Sequence, residues 1–156
     1  MLAEAVMCMA MAIYYEARSE PIEGQMAVAE VILERVEDPR FPDTVCGVVK
    51  ENRSKKPGMC QFSFYCDGKP ERMNDKQARE RAFQIAHRYL EMDRPVFEDG
   101  SLFYHATYVR PHWSRKFAMT KKIGDHIFYA PPPPRRSTKN IKVLIESPIP
   151  KPRPSP

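Results

Sequence analysis

The first seventeen residues are mostly apolar, and their spacing is helical. Val6, Ala10, Ile13 and Ala17 form one stripe, while Met9, Ala12, Ile13 and Glu16 lie within a turn or two of each other on an adjoining face. This pattern predicts a helix over about 2–18, broken by Pro21 and Gly24. A second helix over about 22–37 presents Ala29, Ile32 and Val36 inward and stops at Asp38-Pro39. A short helix at about 43–50 follows, capped by Asp43 or Thr44, and residues 54–58 read as a loop. Gln61–Cys66 alternates and is predicted to be a strand, with Asp67-Gly68 as its turn. From Asp75 to Met92, Ala78, Ala82, Ile85, Ala86 and Tyr89 share one side and charges the other, which predicts a third long helix. Leu102–Ala106 and His126–Tyr129 fit two further strands. Helices followed by a small sheet interrupted by a helix make the class α+β.

A length of 156 residues fits one domain, residues 1–130, and a tail, residues 131–156. Acidic and basic residues balance within 1–130. The net charge of +5 comes from the tail, where Arg135, Arg136, Lys139, Lys142, Lys151 and Arg153 face Glu146 alone. The tail also carries Pro131 to Pro134 and a proline at every second position from 148 to 156, so it is expected to be extended and polyproline-like, with a short strand at 141–145. It reads as a solvated arm, or as one that attracts an anionic polymer or lipid headgroups by charge. No aromatic interleaves its basic residues, which argues against nucleic acid. No segment is long and apolar enough to predict stable membrane insertion. The N-terminal run lacks a basic leader and carries Glu4, so it is not read as a signal peptide. Cys8, Cys46, Cys60 and Cys66 allow two disulfides. Bridges are expected to involve the last three, with Cys8 an inert buried thiol.

Glu16 stands out because it ends an apolar helix. Partial desolvation disfavours its charged form, and the negative end of the helix dipole acts in the same direction. A carboxyl with a raised pKa is what a general acid needs near neutral pH. The ordinary alternative, more common for a Glu at a helix end, is a surface group paired with Arg18 or Arg35.

The wider context is specific. Ala12-Ile13-Tyr14-Tyr15-Glu16-Ala17-Arg18-Ser19-Glu20-Pro21 leads into Glu23-Gly24-Gln25-Met26-Ala27-Val28-Ala29-Glu30-Val31. Asp38-Pro39-Arg40-Phe41-Pro42-Asp43-Thr44-Val45-Cys46-Gly47 and Cys60-Gln61-Phe62-Ser63-Phe64-Tyr65-Cys66-Asp67-Gly68 follow. Phe103-Tyr104-His105-Ala106, Pro111-His112-Trp113 and Ile123-Gly124-Asp125-His126-Ile127-Phe128-Tyr129 come last. In content and order, residues 5–130 resemble the SleB-type cell-wall hydrolase family, which includes the catalytic domain of spore-cortex-lytic enzymes and phage relatives. The resemblance implies a lysozyme- and lytic-transglycosylase-like fold, cleavage of peptidoglycan glycan strands, and Glu16, within Tyr-Glu-Ala-Arg, as the catalytic acid. Ser19 stands where the family commonly has Gly, and Glu34 where it commonly has Asn. Neither change removes the acid.

Glycoside cleavage needs a proton on the departing oxygen and stabilisation of an oxocarbenium-like carbon. Hydrolysis normally needs a second carboxylate, and the candidates are Glu20, Glu23, Asp67 and Asp125. None is compelling, so the expectation is a lytic transglycosylase rather than a muramidase. Gln61, Ser63, Tyr104, His105 and Trp113 are the candidate sugar-binding residues, supplying amide, hydroxyl and aromatic groups. No metal or other cofactor is expected, and the partner is the peptidoglycan glycan strand, met by a monomer. Made in the cytoplasm without a signal, the enzyme would act on the wall if released as a phage-type lysin, either an endolysin passing a membrane lesion or one carried on a virion. One rival is an amidase or peptidase using zinc-binding histidines, or a Cys60 or Cys66 nucleophile with His105 or His126. Another is a wall-binding or virion module without catalysis.

Overall fold

Helix α1 (Leu2–Ala17) forms from a run free of Gly and Pro and rich in Ala and Met, all favourable to helix. Val6, Met9, Ala10, Ile13, Tyr14 and Ala17 are buried because α1 packs against all three other helices: α2 (Ile22–Glu37), α3 (Val45–Val49) and α4 (Lys76–Glu91). The computed structural model describes residues 2–54, 59–92 and 95–134. Helix α2 is enclosed on every side from Gly24 to Leu33, which is why its sequence shows only a weak stripe. Its Val36, expected to face inward, is only partly buried. Helix α4 is amphipathic as its pattern predicts, and the Asp75 carboxylate caps it by accepting the Ala78 N–H at 3.1 Å. Thr44, rather than Asp43, caps α3, its hydroxyl accepting the Gly47 N–H at 2.9 Å. Burying a core side chain such as Ile13 or Ile32 contributes about 1.5–3 kcal/mol.

The C-terminal part is a three-stranded antiparallel sheet in the order β1-β3-β2, built from β1 (Phe103–Ala106), β2 (Ala118–Ile123) and β3 (His126–Ala130). Side chains alternate across it. Tyr104 and its partner Phe128 pack on each other, with Phe128 fully buried, while Phe103, His105 and Tyr129 point to the other face. The sheet is fastened to the helices at one turn. Gly124 has φ +54°, and a Cβ there would lie 2.7 Å from the Glu20 carboxylate and 2.9 Å from Pro21. Only glycine lets this turn seat on the α1–α2 junction, where Glu20 accepts the Asp125 N–H at 2.7 Å.

Three expectations are corrected. The segment 61–66 is not a strand but ends in a 3₁₀ turn, Ser63–Cys66. Cys60 and Cys66 are disulfide-bonded with their Cα atoms 5.7 Å apart, whereas an extended strand of that length spans about 20 Å. The alternation is nevertheless real, since Phe62 and Phe64 are buried and Gln61, Ser63 and Tyr65 are exposed. Cys8 is not a free thiol but is bonded to Cys46, joining α1 to α3. Strand β2 was not anticipated, because an edge strand carrying Lys121 and Lys122 has no buried alternation to read. The strand expected at 141–145 and most of the tail lie outside the described residues. Among the described residues, no helix is long and apolar enough to cross a membrane.

Candidate active site

The last turn of α1, the C-terminal half of α2, the Cys60–Cys66 loop, β1 and the 3₁₀ turn His112–Arg115 converge on a cleft of about 420 Å³. Glu16, Arg35, Arg53, Gln61, Phe62, Phe103, Tyr104 and Trp113 line it. Glu16 is the carboxylate in this lining. It is half-buried, and burial pushes its pKa up to about 7, against a hydrogen-bonding interaction with the Tyr104 hydroxyl and the charge of Arg35, both of which pull it down. Burial and the neighbouring Glu16 raise the pKa of Tyr104 well above the ordinary phenol range, so Tyr104 remains a donor.

Arg35, not Arg18, is the cation facing Glu16. Arg18 is exposed and donates to the Tyr14 hydroxyl at 2.8 Å. Arg35 is 5% exposed. Its Nε donates to the Leu102 carbonyl at 2.8 Å, and its guanidinium lies 4.8 Å from the Phe41 ring centroid and 5.3 Å from that of Phe103. Burial lowers its pKa to about 10, which leaves it charged at neutral pH. A buried cation held by a carbonyl and aromatic faces provides a fixed positive potential at the cleft wall.

The predicted sugar-binding residues separate. Gln61, Tyr104 and Trp113 line the cleft; Ser63 and His105 do not. Ser63 is exposed on the 3₁₀ turn. His105 lies on the opposite face of β1 from Tyr104, stacked on Tyr129 at 5.3 Å. Its Nδ1–H donates to the Ala106 carbonyl at 2.7 Å, so Nε2 accepts the Tyr129 O–H at 2.9 Å. That fixed imidazole packs against Trp113, whose indole also meets Phe103 at 5.4 Å and Phe117 at 5.7 Å. His105 thus supports the indole from behind.

None of the four candidate second carboxylates lines the cleft. Glu20 is occupied by the Asp125 N–H and lies 3.8 Å from His126. Glu23, Asp67 and Asp125 are exposed, with Asp67 accepting the Lys69 N–H. Sequence reasoning missed Glu51, whose Oε2 pairs with Arg53 Nε at 3.0 Å and whose buried Oε1 has no hydrogen-bond partner among the described residues. It also missed Arg53, on a loop, and Phe103, at the start of β1, as cleft residues, because no local pattern marks a side chain that reaches a cleft formed by several segments. The cysteine-nucleophile rival fails on the bond between Cys60 and Cys66, which leaves neither sulfur a thiolate. His126 is buried with its pKa lowered by that burial, and among the described residues no three His, Cys, Asp or Glu cluster to hold a metal.

Similar proteins agree with this architecture. Residues 19–129 match the model of the cell wall hydrolase family, a span that begins just after Glu16. The spore cortex-lytic enzyme of Oceanobacillus iheyensis is 33% identical over 123 residues, 79% of this chain and 40% of the relative. That of Bacillus subtilis is 31% identical over 120 residues, 77% of this chain and 35% of the relative, so the chain spans well under half of either protein. Among solved structures, the catalytic domain of the germination-specific lytic transglycosylase SleB from Bacillus anthracis superposes with a TM-score of 0.61 at 32% identity, covering 80% of this chain and 93% of that domain. The SleB catalytic domain from Bacillus cereus gives 0.58 at 31% identity, covering 80% and 88%. With its α+β, lysozyme-like fold and a match through most of its length, this chain belongs to the cell wall hydrolase family.

Proposed function

We propose that this chain cleaves the peptidoglycan glycan strand between N-acetylmuramic acid and N-acetylglucosamine, by lytic transglycosylation, with Glu16 as general acid. The observation that carries the reading is a carboxyl with a pKa of about 7 in a cleft that also holds an amide, a phenol and an indole. Near neutral pH a substantial fraction of Glu16 is protonated and can deliver its proton to the glycosidic oxygen as the bond to the muramic C1 breaks. Positive charge develops on the ring, and the newly formed Glu16 carboxylate faces it. The carboxylate then takes the proton from the muramic 6-hydroxyl, whose oxygen closes on C1 to give a 1,6-anhydro end, and Glu16 is returned to its starting form. No water is consumed, so no second carboxylate is needed. Arg35 and the Tyr104 hydroxyl both favour the ionised form of Glu16, so they stabilise it once the proton has left. Gln61 and Trp113 supply a hydrogen-bonding amide and a ring face for the sugars.

The acceptance of peptidoglycan is also supported by the spore cortex-lytic relatives and by the lytic transglycosylase whose domain this fold matches. Mass spectrometry of fragments released from purified sacculi tests the reading. Anhydro-muramic ends are expected; reducing muramic ends would replace transglycosylation with hydrolysis, and free stem peptides alone would overturn glycan cleavage.

A further inference from the structure

Beside the cleft lies a second, larger groove of about 570 Å³ that shares Arg53 and Phe103 with it. Phe41, Phe103 and Phe117 form an aromatic floor, with ring centroids 5.8 Å and 5.1 Å from Phe103 to its two neighbours. Pro131 to Pro134 form one wall. That wall is fixed in place by Arg40, whose Nη1 donates to the Pro132 carbonyl at 2.9 Å while its Nε and Nη2 hold Asp38. Arg53 stands between cleft and groove. Its Nε is held by Glu51 and its Nη2 by the Arg40 carbonyl at 2.8 Å, and its guanidinium lies 4.3 Å from the Phe41 ring centroid. The side chain is nevertheless 43% exposed, so a positioned cation meets solvent where the two spaces join.

We propose that this groove receives the lactyl-peptide substituent of the muramic sugar seated in the cleft. The inference rests on the glycan-cleaving reading above and names what accompanies the sugar. The substituent branches from the sugar ring, so its binding place must be continuous with the cleft, as this groove is. It begins with methyl-bearing units, which suit a floor of phenyl rings and prolines, and it carries carboxylates, which suit Arg53. A muramic sugar without the peptide keeps only the lactyl methyl and its single carboxylate, too short to reach along the whole floor.

Isothermal titration of the full chain carrying Glu16→Gln, which leaves ligands uncleaved, tests this with three probes. They are a disaccharide-tetrapeptide muropeptide, the same disaccharide stripped of peptide, and the muropeptide with its carboxylates amidated. The peptide is expected to tighten Kd at least about tenfold, a difference of about 1.4 kcal/mol, and amidation to remove most of that gain. Phe117→Ala is expected to bring the ratio of the two Kd values, with and without peptide, close to one. Equal affinity for the first two probes, or a ratio that Phe117→Ala leaves intact, would overturn the proposal. Because binding is read without turnover, failure of the wild type to release glycan fragments would count against the cleft chemistry alone.

Discussion

Arg35 and Glu16 reach the same cleft from different helices, and the charge of the first lowers a pKa that burial raises in the second. The balance leaves Glu16 near 7 rather than far above it, so both of its protonation states are accessible at neutral pH. An acid that must also act as a base in the second half of a reaction needs that property.

The pH dependence follows from this balance. Below about pH 7 Glu16 carries its proton in the free enzyme, and above that it loses it. Hence kcat/KM is expected to fall as pH rises through about 7, in a single descending limb measured by fragment release from sacculi. Tyr104→Phe removes an interaction that favours the ionised form, so the limb is expected to move to higher pH, while the maximal rate drops about tenfold or more. A limb that stays in place would disconnect Tyr104 from Glu16.

Glu16→Gln is expected to abolish turnover and to increase stability, in a pH-dependent way. In the unfolded chain this carboxyl ionises near 4.5, and in the folded protein near 7. Between those values the folded state binds the extra proton, so stability of the wild type falls as pH rises through the window. Below 4.5 both states are protonated and the variant gains nothing. Above 7 the wild type bears the full cost of a desolvated anion, and the variant is expected to be more stable by about 1–3 kcal/mol. Urea denaturation at pH 4 and pH 8 separates the two regimes, and equal ΔΔG at both would contradict a raised pKa.

A second buried carboxylate has a purely architectural role. Glu30, 6% exposed on α2, accepts the Tyr89 hydroxyl at 2.5 Å and the backbone N–H groups of Val96 and Phe97 at 2.9 and 3.0 Å. It therefore ties α4 and the chain leading to β1 onto α2. Glu30→Ala strands three donors and is expected to cost about 3–5 kcal/mol, whereas Tyr89→Phe is expected to cost about 1–3 kcal/mol. A double-mutant cycle by thermal unfolding should give a coupling above about 1 kcal/mol. Additive effects would show that the two residues do not act together.

How much of this was readable in advance varies with the physics of each element. The helices were legible because burial of one face imposes a period on the sequence, as in α4, and because a cap such as Thr44 is local. Strand β2 was not, since an exposed edge imposes no period, and the Cys60–Cys66 loop was misread because its alternation is the same in a strand and in a tight turn. Within the cleft, Glu16 was marked by its own apolar helix. Arg35 entered only as a surface partner, because its aromatic surroundings come from outside its helix, Phe41 from the loop that follows and Phe103 from β1. Ser63 and His105 were placed by a strand geometry that holds for His105 but points it away from Tyr104, and that does not exist at Ser63.

The two disulfides are expected to do different things. Cys8–Cys46 closes a loop with a sequence separation of 38, and chain-entropy arguments assign it about 4 kcal/mol; Cys60–Cys66, with a separation of 6, is assigned about 2 kcal/mol. Yet Cys60–Cys66 directly flanks Gln61 and Phe62, both in the cleft lining, whereas Cys8 and Cys46 lie eight or more residues away from Glu16 and Arg35, the cleft residues inside the larger loop. Replacing Cys8 and Cys46 by Ala is therefore expected to lower the unfolding temperature strongly and to leave KM at low temperature nearly unchanged. Replacing Cys60 and Cys66 by Ser is expected to do the reverse, raising KM several-fold through freedom of the Gln61 segment, with a smaller loss of stability. Michaelis kinetics at 15 °C beside thermal melts of both variants would show the contrast. If both pairs lost stability and affinity in the same proportion, the Cys60–Cys66 loop would have no separate part in holding the cleft wall.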